Sequence, residues 1–187
     1  MFDTYDDVLS ASKYLAQRET LPRIMWGRSM GCAPAMRAAS EHGRSVAVIL
    51  ESAFLSPLMT VIPFHMPFET RFENIEEIRR LPQHIPILFI HGLEDDVVPF
   101  WHGKHLHALC ESHTKRFLAV EGGTHNNLHS GSSRSIVEGE AMHFIDAAIS
   151  AASSVVAPAP HVEEACSRGT TDGDEPDDSQ HGNLKRE

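Results

Sequence analysis

Four short apolar runs, separated by segments of helical character, set the main constraint on what this chain can fold into. The runs are Leu21–Trp26, Val46–Leu50, Ile85–Ile90 and Arg116–Val120. They read as near-continuous apolar stretches rather than as alternating ones. That is the pattern of strands covered on both faces. Between them lie an Ala-rich stretch over Met30–His42, a short helical pattern over Ile75–Arg80, and Trp101–Cys110. Strands alternating with helices predict a parallel α/β sheet of about four strands flanked by helices.

The flanks fit this scheme. Thr4-x-x-Asp7 has the form of a capping box, and Val8, Ala11, Leu15 and Ala16 then recur at helical spacing to about Arg18. From Ser135 onward Ile136, Val137, Phe144, Ile145, Ala148 and Ile149 predict an amphipathic helix to about Ala152. Pro34 falls in the first turn of its helix, where it is tolerated, and Gly43 is a plausible stop. Residues 53–84 mix prolines with Phe54, Phe64, Phe68 and Phe72, with a further short helix expected around Leu58–Ile62. Beyond Val156 an Ala-Pro-Ala-Pro segment leads into an acidic stretch. The expectation is a folded part over residues 1–152 and a disordered tail over 153–187. There are no internal repeats.

Charge and cysteine usage exclude several classes. The formal net charge is −10. Residues 152–187 carry eight acidic and three basic side chains, half of that total. Nucleic acid is therefore not an expected partner. Three cysteines without a CxxC argue against a disulfide framework and fit a reducing, cytoplasmic setting. No apolar run reaches the roughly 18 residues of a membrane helix, and the acidic, polar start resembles neither a signal nor a transit peptide.

Chemistry concentrates at three strand ends. Gly27-Arg28-Ser29-Met30-Gly31 follows one predicted strand and opens a predicted helix, the context of a G-x-S-x-G nucleophile elbow. Glycines suit such a tight turn, and the Met30 N–H is a candidate oxyanion donor. A serine needs a base to take its proton. His125 follows the fourth strand after Glu121-Gly122-Gly123-Thr124, at the strand end where α/β sites lie; His129 is its rival among 13 histidines. The imidazole in turn needs a carboxylate. His91-Gly92-Leu93-Glu94-Asp95-Asp96 follows the third strand, and Asp95 is preferred over Asp96. Ser29, Asp95 and His125 thus form a candidate triad from three separate strand ends.

The segments "IMWGRSMG", "ILFIHGLEDDVVPFWHGKHL" and "FLAVEGGTHNNL" resemble the α/β-hydrolase-domain branch that includes protein depalmitoylases. They also resemble serine aminopeptidase-like hydrolases. "ESAFLSPLMTV" and "FENIEEI" match the crossover region of that branch, so the resemblance runs from about Phe2 to Ile149. It implies the C-terminal part of an α/β-hydrolase fold, carrying strands five to eight and lacking one to four. It implies hydrolysis of an acyl ester or thioester on a small molecule or lipidated protein. Ser29 would be the nucleophile, His125 the base and Asp95 the acid. Peptide hydrolysis is the nearest enzymatic alternative. No cofactor or metal is implied.

Further expectations follow. A second oxyanion donor, which the family takes from an earlier loop, is not found in residues 1–20, and His181-Gly182-Asn183 in the tail is a coincidence. The nucleophile strand becomes a sheet edge that a partner or oligomer could cover. Catalysis is expected if the missing half is supplied, and a truncated partner-binding remnant is the non-catalytic alternative. Membrane association, peripheral at most, stays open. His102, His105 and His107 are read as surface histidines of a partly exposed helix rather than a metal site, the resemblance implies a structural role for His102-Gly103, and Cys32 is read as a small core residue. Glu51 closes the second strand with no role assigned. Phe54–Phe72 is read equally as a buried crossover or an acyl-pocket lining.

Overall fold

The computed structural model describes residues 4–18, 20–41, 45–57, 60 and 73–155. Gly43, Cys166, the tail over 157–187 with His181-Gly182-Asn183, most of the Leu58–Ile62 helix and most of the Phe54–Phe72 stretch lie outside them. The order is α1 (Thr4–Arg18), β1 (Arg23–Arg28), a 3-10 turn (Ser29–Gly31), α2 (Cys32–Glu41), β2 (Ser45–Glu51), α3 (Asn74–Arg80), β3 (Ile87–Gly92), α4 (Trp101–Leu109), β4 (Lys115–Val120) and α5 (Gly131–Val155).

All strand pairs are parallel, and the sheet order is β1-β2-β3-β4. A sequential order with right-handed crossovers puts the connecting helices on one face. Packing agrees. On one face Val48, Leu50, Ile87 and Phe89 meet Cys32 and Met36 of α2, Ile78 of α3 and Leu106 of α4. On the other, Ala47, Ile49, Leu88 and Ile90 meet Val137, Ala141, Phe144 and Ala148 of α5, with Leu128 beside them. The two central strands are sealed from both sides, which is why they read as unbroken apolar runs.

Four expectations need correction. β1 does not stop at Trp26. Its ladder with β2 continues through Gly27↔Leu50 and Arg28↔Glu51, so pairing carries the strand past the glycine. Thr4 already lies inside α1, so it does not cap the helix from outside. The apolar positions of α1 are not its buried face either: Leu15 is 41% exposed, while Ser12 is buried. α1 packs chiefly on α2, and that one neighbour does not cover a full apolar stripe. α5 starts four residues before, and ends three residues after, the stretch read from its periodicity.

As expected, β1 is an edge of the four-stranded sheet, and Leu21, Trp26 and Met30 are exposed along it. The charged centre of the helical layer is Glu77, 3% exposed. It accepts from Arg37 Nε at 2.8 Å and Arg37 Nη2 at 2.5 Å, with Arg80 at 3.2 Å. A carboxylate this deep is tolerable only when paired in this way.

Candidate active site

Ser29 stands at the junction of β1 and the 3-10 turn with φ +51°, a left-handed conformation that a serine adopts at a cost of about 1–3 kcal/mol. The turn can be this sharp because Gly27 carries no side chain. A Cβ there would sit 2.5 Å from the Gly31 carbonyl oxygen and 2.7 Å from the Cys32 Cα. Gly31 is different: a Cβ on it meets nothing within 4 Å. Only the first glycine of the motif is held by close approach in this chain. Met30 lies in the 3-10 turn ahead of α2, where the first N–H groups lack helical acceptors. Its side chain is exposed.

The loops after β3 and β4 are stitched to each other. Leu93 N donates to Val120 O at 3.0 Å, and Glu94 N to Gly123 O at 2.8 Å. The backbones touch at two glycines: a Cβ on Gly92 would lie 2.2 Å from the Gly123 oxygen. This joint brings Asp95 and His125 together. His125 Nδ1 lies 3.0 Å from Asp95 Oδ2 and 3.2 Å from Oδ1. Both residues are buried, whereas Asp96 and Glu94 are exposed. It is Asp95, and not Asp96, that meets the imidazole in the structure.

Asp95 is held as an anion. Burial pushes its carboxyl up, but the Val98 amide and His125 outweigh that and hold it below the usual carboxylate range. The Val98 and Val97 amides donate to Oδ1 at 2.7 and 3.0 Å. His91 Nε2 donates to Val98 O at 2.8 Å, so the turn that supplies those amides is itself pinned. Burial keeps the His91 imidazole below its usual range and therefore neutral. Gly103 of α4 packs directly on the His91 ring, with room for no Cβ. The His-Gly in α4 is thus a packing feature.

With Nδ1–H donated to Asp95, His125 Nε2 carries the lone pair. No hydrogen bond joins it to Ser29 among the described residues; what ties the base loop to the elbow is Arg28. Its Nη2 donates to the His125 carbonyl and, at 3.0 Å, to Asn126 Oδ1. Sequence reasoning missed Arg28, though a charged residue at the variable position of the elbow motif is a usable signal.

The rival His129 is turned elsewhere. Its Nε2 lies 2.8 and 3.0 Å from the two Glu51 oxygens, and Trp26 Nε1 donates to Glu51 at 2.7 Å. Ser52 was also missed. It is fully buried at φ +47°, and its amide donates to Ile90 O at 2.9 Å. His102 is buried rather than a surface histidine of its helix, in keeping with a structural role for His102-Gly103. It is 0% exposed, its Nδ1 accepts from the Leu55 amide, and burial pushes its pKa down to about 4. His105 is exposed, and no cluster of metal ligands forms among the described residues. Cys32 is fully buried, and burial raises its thiol well above the ordinary range, so it is an unreactive core residue.

No family model matches the chain. An uncharacterised membrane protein of Saccharomyces cerevisiae is 33% identical over 128 residues, which is 64% of this chain and 44% of that protein. The α/β-hydrolase domain-containing protein 17B of Homo sapiens is 35% identical over 108 residues, 56% of this chain and 36% of that protein. The chain spans less than half the length of these curated relatives. Among solved structures, the esterase domain of a Rhodothermus marinus protein superposes with a TM-score of 0.59 at 19% identity. That match covers 76% of this chain and 68% of the domain.

Proposed function

Since the chain is related to the α/β-hydrolase superfamily and carries part of that fold, we propose that it works as a serine hydrolase on acyl esters or thioesters. The observation that carries this is the convergence of three strand ends. A strained serine sits at a strand-to-helix turn, and a buried, hydrogen-bonded Asp95–His125 pair stands on the two loops that follow β3 and β4.

On this reading each group has a role. Asp95 fixes the tautomer of His125 through Nδ1 and stabilises the imidazolium that forms. Nε2 then takes the Ser29 proton as Oγ attacks the acyl carbon. Hydrogen bonds of this kind are often long without substrate and tighten in the complex. The Met30 amide, at the start of the helical run, faces the developing oxyanion. His125 returns its proton to the leaving alcohol or thiol, and a water activated by the same imidazole releases the acyl group from Ser29.

Labelling with a fluorophosphonate tests this. The purified chain is compared with Ser29→Ala and Asp95→Asn. The expected result is labelling that vanishes in the first and slows by several orders of magnitude in the second. A folded sample that takes no label refutes stand-alone catalysis and leaves the chain as a partner-binding module. Esters and thioesters of increasing acyl length then define the substrate, and depalmitoylation requires a preference for long-chain thioesters.

A further inference from the structure

We infer that Arg28 and Glu51 form a two-point latch, which holds the loop bearing His125 against the nucleophile strand. The two are partners in the β1–β2 ladder, so their side chains leave the same face of the sheet. That is the face of Ile49 and α5, over which the loop 121–130 runs. Arg28 grips the near end of the loop, at the His125 carbonyl and Asn126 Oδ1. Glu51 grips the far end, at His129 Nε2.

The Arg28 grip is exposed, whereas the Glu51 grip is built into the fold. Glu51 is 1% exposed, a burial that a carboxylate tolerates only with its oxygens satisfied. Trp26, two residues before Arg28 on the same strand face, supplies one donor, and His129 supplies the other. The Trp26 and His129 rings also lie against each other, centroids 6.1 Å apart. Around the Arg28 grip the loop is internally braced. Thr124 N donates to Asn127 Oδ1 at 2.7 Å, and Asn127 Nδ2 donates to Gly122 O at 3.0 Å. A braced loop held at both ends has one orientation. The imidazole of His125 is then fixed at Nδ1 by Asp95 and at its own carbonyl by Arg28, the residue that immediately precedes Ser29.

Arg28 and Glu51 are positioning residues: they act through the loop. Their effect on catalysis rests on the serine-hydrolase proposal, whereas the mechanical latch does not. Hydrogen exchange on the full chain separates the two. Arg28→Gln, Arg28→Lys, Glu51→Gln and His129→Gln are compared with the parent, following segment 121–130 and, as an internal reference, β3. The expected result for the Gln variants is exchange at least about tenfold faster in 121–130 with β3 unchanged. Fluorophosphonate labelling slows in parallel, and Arg28→Lys recovers part of both effects. If the parent takes no label while 121–130 still opens in the variants, the latch stands and the hydrolase proposal falls. Unchanged exchange in 121–130, or equal acceleration in β3 from general destabilisation, overturns the latch.

Discussion

Replacing Gly92 by alanine tests the joint between the acid and base loops. The new Cβ would lie 2.2 Å from the Gly123 oxygen and 2.4 Å from its carbonyl carbon, both backbone atoms that no rotamer change can move. Ordinary contact begins at about 3.4 Å, so one loop must retreat by roughly an ångström. Overpacking of this kind costs about 1–3 kcal/mol. The retreat also stretches the Glu94 N–Gly123 O bond, now 2.8 Å, at a further ~1 kcal/mol. The sum is about 2–4 kcal/mol, a melting temperature lower by about 5–15 °C. Asp95 and His125 ride on the separated loops, so labelling of Ser29 should fall by about a hundredfold even where the variant is fully folded. The control is Gly139→Ala on the exposed side of α5. There a Cβ meets nothing, and the change should stabilise by about 0.5–1 kcal/mol. Thermal denaturation and labelling rate, measured on both variants below their melting temperatures, give the answer. A Gly92→Ala variant that melts and labels like the parent shows that the two loops do not meet as described.

Two further outcomes follow from buried ionisable groups. His102 is neutral when folded, with a pKa near 4, and titrates near its ordinary value when unfolded. The unfolded chain therefore binds the extra proton between about pH 6.5 and 4. Stability should fall by about 2–3 kcal/mol as pH drops through that window. Urea midpoints at several pH values should show this slope, flattened in His102→Asn; an equal slope in both proteins refutes it. Arg37→Met should cost about 2–3 kcal/mol in urea denaturation, because Glu77 is left with Arg80 alone, and adding Glu77→Gln should restore part of the loss. Loss of no more than about 0.5 kcal/mol would place Glu77 in a wetter environment than its burial implies.

The elements that sequence conveyed best were those with the least freedom. β2 and β3 are buried on both faces, so composition alone marks them. Ser29, Asp95 and His125 stood out as candidates because each follows a strand end, where a parallel sheet gathers its loops. What escaped was fixed by neighbours. β1 runs through Gly27 because β2 offers it a ladder. Ser12 is buried in place of Leu15 because α1 touches little beyond α2. His102 looked like one of three surface histidines, yet its position in α4 faces the core. Arg28 and Glu51 reach residues 97 and 78 positions away, and no local pattern announces such pairings.

Among the described residues the second face of the sheet is covered by α5, whose 25 residues span about 37 Å across β2, β3 and β4. The strands can pair in the order they are made, each crossover closing on its neighbour, and the first face can assemble as the chain lengthens. The face beneath α5 cannot. It waits for the last described helix, and the loop carrying His125 is the lead-in to that helix. Docking α5 draws the loop down with it and seats Leu128 in the same apolar cluster. Seating of that loop and docking of α5 are thus one packing event, since both fill the same cluster.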